Sequence, residues 1–213
     1  MPTVLTHAVV GYAAARAAGG RRRPPARILI VATVLPVVPD LDVFLAPAFG
    51  FGYGHPLGHR GFSHSLAFAL ILGVLAAVAC RRDGPSIPGG VGALGLLFTA
   101  AAASHCLLDA LTDGGMGMPF FMPFGDGRYF FPVQPIPVSP IGLSSFLSEW
   151  GWAVLRAEVL LVWPFAAAAA AWPWLGPRRG PAAAALLVGA GVAAWAWRLG
   201  WFGLQAGLGA TRW

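Results

Sequence analysis

The sequence contains no lysine; all fourteen of its basic residues are arginine. Charge of either sign is scarce, at 10% of the 213 residues, where a soluble domain carries about a quarter. Together with 57% apolar residues, this excludes an ordinary water-soluble globule. Thiolate chemistry is equally poor: Cys80 and Cys106 lie in separate apolar segments, form no Cys-x-x-Cys motif, and read as small buried hydrophobes. No basic region precedes the first apolar stretch, and His7 interrupts it, so a secretory signal is not expected. The net charge of +6 forms no stripe, and no aromatics interleave the arginines, so nucleic acid is not expected as a partner.

Eight of the fourteen arginines cluster in three islands: Arg21-Arg22-Arg23 with Arg27, Arg81-Arg82, and Arg178-Arg179. Each separates apolar runs, the pattern of cytoplasmic connections between membrane helices. The apolar runs cover Val4–Ala18, Ile28–Phe49, Leu66–Cys80, Val91–Leu111, Val154–Leu175 and Ala182–Phe202. An upright helix needs about 20 residues to cross the hydrocarbon. The last three runs have that length; the first and third are short, and the second contains Pro36 and Pro39, which should kink or end its helix. The fold class expected is all-α: a polytopic transmembrane bundle of five to six segments, in one membrane-embedded domain over residues 1–213. Residues 1–150 carry the polar core, and 151–213 read as two C-terminal transmembrane helices. Between them, "GGMGMPFFMPFGDGRYFFPVQPIPVSPIG" is too apolar for a solvated linker and has no helical period. It reads as a re-entrant or interfacial loop that covers a site.

With the islands placed on the cytoplasmic side, helical rise gives the depth of each polar residue. His7 lies about 21 Å from Arg21, Asp40 about 20 Å from Arg27, His64 about 26 Å from Arg81 and His105 roughly 22 Å from Gly90. Four segments distant in sequence thus bring polar groups to one layer, toward the non-cytoplasmic side. Of five histidines and eight carboxylates, that layer holds His7, Asp40, Asp42, His59, His64, His105, Asp109 and Asp113. Ionisable groups at such a depth are costly and mark function by default; the bland alternative is interhelical glue. His105 and Asp109 stand at i and i+4, with Asp113 at i+8, so one helix face can offer two ligands to one ion.

Imidazole and carboxylate without thiolate suit zinc, with manganese or iron as alternatives. Eight groups can serve one ion with orienting partners, or two ions sharing carboxylates. Arg60 can bind a substrate anion or a headgroup. Ser63 and Ser65 read more readily as helix caps than as nucleophiles. Arg128 and Tyr129 read as interfacial anchors before substrate contacts, and Glu149 as a helix-start carboxylate.

"THAVVGYA", "LPVVPDLDVF", "GHRGFSHSL", "SHCLLDALTDGGMGMPFFMPF" and "YFFPVQPI" together resemble the YdjM-like family of inner-membrane metal-dependent hydrolases. The resemblance covers roughly the first two thirds of the chain. It implies a multi-pass bacterial inner-membrane protein with metal ligands among His7, Asp40, Asp42, His64, His105 and Asp109. The His-x-x-x-Asp pair is also similar, over a shorter stretch, to zinc-dependent phospholipase C and related nucleases, which implies phosphoester hydrolysis. On this reading one or two zinc ions activate water against an ester of a lipid-like or otherwise membrane-accessible substrate. His59 and Arg60 position it or assist proton transfer, and Asp113 joins them as a catalytic candidate. A metal-ion or proton transporter shares the intramembrane histidines and carboxylates, but it needs polar residues continuing to the cytoplasmic side. The inner halves of these segments are nearly all Ala, Leu, Val and Gly. A scaffold with a structural metal site is the third reading.

Overall fold

A computed structural model describes residues 1–176 and five isolated positions beyond them, at 180, 181, 185, 189 and 191. The expected segment Ala182–Phe202 and the Arg178-Arg179 island therefore lie largely outside the described residues. Among the described residues the protein is all-helical, with no strands.

Helix α1 (Val4–Ala18) starts because the Thr3 hydroxyl accepts from Thr6 N–H, and it stops at Gly19 before Gly20, which adopts φ 62°. Helix α2 (Ala26–Val34) follows the Pro24-Pro25 pair. The prolines at 36 and 39 lack the N–H an α-helix needs, and the chain tightens into a 3-10 turn over Leu35–Leu41 before α3 (Asp42–Ala48). The broken helix still runs 23 residues, from Ala26 to Ala48.

Helices α4 (Leu66–Ala79) and α5 (Gly90–Asp109) form an antiparallel hairpin across a tight turn, Arg81–Ser86. A Cβ on Gly73 would lie 2.4 Å from the Thr99 backbone nitrogen, so only glycine lets the two backbones approach this closely. Gly11 does the same for α1 on α2, where a Cβ would meet the Ala32 carbonyl oxygen at 2.1 Å. Ala15, Ile28, Ala32, Leu94, Phe98 and Ala102 fill the space between these four helices. The Pro/aromatic region is ordered but largely non-helical until α6 (Leu143–Phe146). Its backbone pairs with itself at Met118 and Tyr129 and with the end of α5 through Ile136. Helices α7 (Glu149–Leu161), capped by the Ser148 hydroxyl, and α8 (Trp163–Ala171) close the described bundle against α1.

Among the described residues, three helical stretches are long and apolar enough to cross a membrane: Ala26–Ala48, Gly90–Asp109 and Glu149–Trp174. Helix α4, at 14 residues, rises only about 21 Å and falls short of the roughly 30 Å of hydrocarbon; α1, at 15 residues, falls short for the same reason. Outward-facing residues such as Ile30, Leu75 and Leu96 are more than half exposed, a surface suited to lipid.

The arrangement sorts the helix ends. Arg16 lies in the last turn of α1 and Arg27 in the first turn of α2. Arg27 donates to the Ala79 carbonyl and pairs with Asp83 at 3.7 Å, which ties the foot of α2 to the foot of α4. His7, Asp40, His64 and Asp109 occupy the opposite ends of the same helices.

Candidate metal centre

At that end, five polar side chains from four elements meet with almost no access to solvent. His7 comes from the first turn of α1, Asp40 from the proline turn, His64 from a 3-10 turn (Phe62–His64) ahead of α4, and His105 and Asp109 from the last turns of α5. His105 Nε2 lies 3.6 Å from Asp40 Oδ1 and 3.9 Å from Asp109 Oδ2. His64 Nε2 lies 3.7 and 3.9 Å from the same two oxygens. Asp109 Oδ1 faces His7 Nε2 at 3.3 Å.

All but the His7–Asp109 separation are too long for hydrogen bonds, and none of the facing atoms makes one. Carboxylate and imidazole atoms buried without hydrogen bonds are costly, even with ion pairs at 3.3–3.9 Å between them. They are, however, spaced like ligands. Bonds of about 2.1 Å to nitrogen and oxygen place neighbouring donors roughly 3.4 Å apart around a tetrahedral ion. Three overlapping triads have ligand atoms within 4.8 Å of one another: His7, Asp40 and His105; Asp40, His59 and His64; His64, His105 and Asp109. The residues present fit a divalent cation.

The outer nitrogens of His105 and His64 are prepared for the same role, whereas His7 Nδ1 has no hydrogen-bond partner among the described residues. His105 Nδ1 donates to the Pro36 carbonyl at 2.8 Å, so its Nε2 keeps the lone pair for the cluster. His64 Nδ1 lies against Ser63 Oγ at 3.0 Å and Asp42 Oδ2 at 3.2 Å. Burial opposes charge on His64, but the Asp40 and Asp42 carboxylates outweigh it and raise its pKa to about 9. The prolines thus have a local consequence: by breaking the α2 ladder they release the Pro36 carbonyl for His105 and turn Asp40 inward.

The YdjM inner membrane protein family profile matches residues 1–208. The chain belongs to that family. Inner membrane protein YbcI of Escherichia coli (strain K12) is 39% identical over 163 residues, which cover 76% of this chain and 91% of YbcI. No solved structure matches the chain. As a YdjM-family membrane protein, it carries the buried His/Asp cluster among the ends of its apolar helices.

Asp42 stands behind the cluster: Oδ1 accepts from His59 Nδ1 at 2.6 Å and Oδ2 from the Ser63 hydroxyl at 2.6 Å. His59 is buried, stands edge-on to His64 with ring centroids 5.3 Å apart, and belongs to one of the ligand triads. Arg60 is 1% exposed and turned away from a free surface. Its guanidinium donates to the Gly114 and Met116 carbonyls and lies 3.8 Å from Asp109 Oδ2. It adopts φ 58°, a conformation costing on the order of 1–3 kcal/mol in a non-glycine residue. Arg128 helps hold it by donating to the Arg60 carbonyl at 2.8 Å. Asp113 is exposed, belongs to none of the ligand triads, and accepts from Val138 N–H at 2.8 Å, pinning the loop.

The hydroxyl groups divide. Ser65 caps α4 through Phe68 N–H, Ser104 bonds back to the Ala101 carbonyl, and Ser63 serves Asp42. Glu149 is exposed at the first position of α7. His55 is exposed and stacks on Phe51, and both cysteines are buried and free.

One polar residue escapes a reading by motif. Glu158, in the middle of α7, is fully buried and accepts from Thr3 N–H and from the hydroxyls of Thr3 and Thr6. It clamps the start of α1, one residue from His7. Its signal was present in the sequence as a lone carboxylate within an apolar span.

Proposed function

We propose that the protein is a membrane-bound metal-dependent hydrolase that cleaves an ester, preferentially a phosphoester, of a lipid-like substrate. One observation carries the reading: the facing atoms of His7, Asp40, His64, His105 and Asp109 are buried, unpartnered and at ligand spacing. These five residues hold the ion or ions, zinc being the best match to the donors. When bound, such a cation supplies a Lewis acid that activates water and draws off charge from the ester oxygens.

The chain's own residues supply the rest. Asp42 takes the His59 Nδ1 proton as a hydrogen bond, which leaves His59 Nε2 as the nitrogen that accepts or returns a proton. Arg60 ties the Gly114–Met116 backbone over Asp109, so the Pro/aromatic loop roofs the centre and excludes water. Under the positive-inside rule the centre lies on the non-cytoplasmic side of the inner membrane, opposite Arg16, Arg27 and Arg81. A transporter needs a polar route to the other face, and the path below the cluster is filled by Ala32, Leu35, Leu94, Leu97, Phe98 and Ala102.

The test is elemental analysis of the detergent-purified protein, with a lipid phosphoester panel assayed with and without chelator. Stoichiometric metal and chelator-sensitive turnover are expected, both lost in His64→Ala and Asp109→Ala. A metal-free preparation whose two variants behave like the parent refutes the proposal.

A further inference from the structure

The centre adjoins a cleft of different character. A cavity of about 350 Å³ runs between the start of α1, helix α3 and the Ser139–Phe146 segment. Its walls include Leu5, Val43, Phe44, Ile141, Leu143 and Phe146. The one acidic residue on its lining is Asp40, whose carboxylate is buried behind the wall with Oδ1 facing His64 and His105. The cleft is therefore apolar along its length and touches the metal cradle at one point.

We propose that this cleft holds one hydrocarbon tail of the substrate lipid, with the scissile ester at the Asp40 end. The inference rests on the hydrolase reading above and extends it to the apolar half of the substrate. Three observations select a tail over a polar ligand. The neutral polar groups on the lining are already committed: Thr3 donates twice to Glu158, Ser139 N–H donates to the Met1 carbonyl, and the Ser139 hydroxyl donates to the Pro140 carbonyl. A sugar or headgroup in the cleft would lose its water hydrogen bonds without replacement, whereas hydrocarbon loses none. The mouth is apolar as well: Phe44 and Leu143 are each 75% exposed, on helices whose outer faces suit lipid, so a tail enters sideways from the bilayer. Finally, the volume lies at the low end of the roughly 300–1,000 Å³ of small-ligand sites, room for a single chain. A lipid bound this way has its chain between α1, α3 and α6 and its polar linkage toward the cluster, the arrangement an ester-cleaving centre needs.

The experiment uses the full chain in nanodiscs that contain phosphatidylglycerol bearing a photoactivatable diazirine on one acyl chain. Cross-links are mapped by mass spectrometry, and bound metal is measured in the same preparation. Severalfold more labelling is expected at Val43, Phe44 and Leu143 than at the outward-facing Leu75 and Leu96. Leu143→Trp and, separately, Val43→Trp should abolish that excess while metal content and Leu75 labelling stay at the parent level. Labelling that is uniform over all five positions, or an excess that survives both tryptophans, overturns the tail site. A metal-free protein that still shows the excess supports the tail site and refutes the hydrolase reading instead.

Discussion

Asp42→Asn separates orienting the ligands from being one. In the structure Asp42 bonds His59 Nδ1 and the Ser63 hydroxyl, each at 2.6 Å, and lies 3.2 Å from His64 Nδ1. Asparagine keeps the shape but removes the charge and turns one acceptor oxygen into a donor. At least one of its two hydrogen-bonded neighbours, His59 or Ser63, must then reorient or lose its bond. Loss of such an outer partner typically lowers metal affinity 10–100-fold, or about 1.4–2.7 kcal/mol. With free metal at 100 times the parent Kd, binding stabilises the parent by about 2.7 kcal/mol. The same concentration would stabilise Asp42→Asn by roughly 0.4–1.4 kcal/mol, since it is then only about 1–10 times the variant's Kd. Calorimetric titration of the apo-protein in detergent gives the Kd values, and metal-dependent thermal shifts give the stabilisation. Asp109→Asn, which alters a proposed inner ligand, should fall further. Two results refute the reasoning: a Kd unchanged by Asp42→Asn, or a loss as complete as that of Asp109→Asn, which would make Asp42 a direct ligand.

Other expectations follow from named contacts. Because the pKa of His64 is raised to about 9, at neutral pH an incoming ion must displace its proton. Metal affinity should rise about tenfold per pH unit and flatten near pH 9, with proton release visible by calorimetry in buffers of different ionisation enthalpy. In the apo-protein the same raised pKa contributes stability that is fully present below about pH 6.5 and lost as the pH rises through about 9, so apo thermal stability should fall across that window. Glu158→Gln replaces one acceptor oxygen with a donor among three donors and should cost about 1–3 kcal/mol in thermal or denaturant unfolding. Gly73→Ala forces a methyl to 2.4 Å from Thr99 and should cost about 1–3 kcal/mol, or prevent the α4–α5 hairpin from forming, as read by detergent thermal shift.

The candidate site was legible in unequal parts. His105 and Asp109 could be paired from their i, i+4 spacing on one long helix, because helical geometry alone puts them on one face. The two acidic residues of "PDLD" could not be told apart. Where the 3-10 turn passes into α3, residues two apart point in widely different directions, so Asp40 meets the Nε2 atoms of His64 and His105 while Asp42 meets His59, Ser63 and the outer Nδ1 of His64. Arg60 read as an open anion-binding group. Its burial beneath the loop depends on Gly115, at φ 78°, where a Cβ would stand 2.6 Å from the guanidinium. Glu158 belongs to a segment read only as a C-terminal membrane helix, and its role depends on α7 packing across 150 residues of sequence onto Thr3 and Thr6.

By itself the sequence determined the solvent, the class and the level of the chemistry. Scarce charge with long apolar runs demands a lipid environment, because helices satisfy their own backbone there, and the arginine positions set which helix ends lie together. A constant rise per residue then carries His7, Asp40, His64 and His105 to one layer. Which members of that layer face each other is a matter of packing in three dimensions. Facing requires specific side-chain directions at the close glycine crossings of Gly11 and Gly73 and at the proline turn, and these come from packing rather than from periodicity. Depth is a one-dimensional quantity that a chain can encode locally; a cradle of buried ligand atoms needs three dimensions.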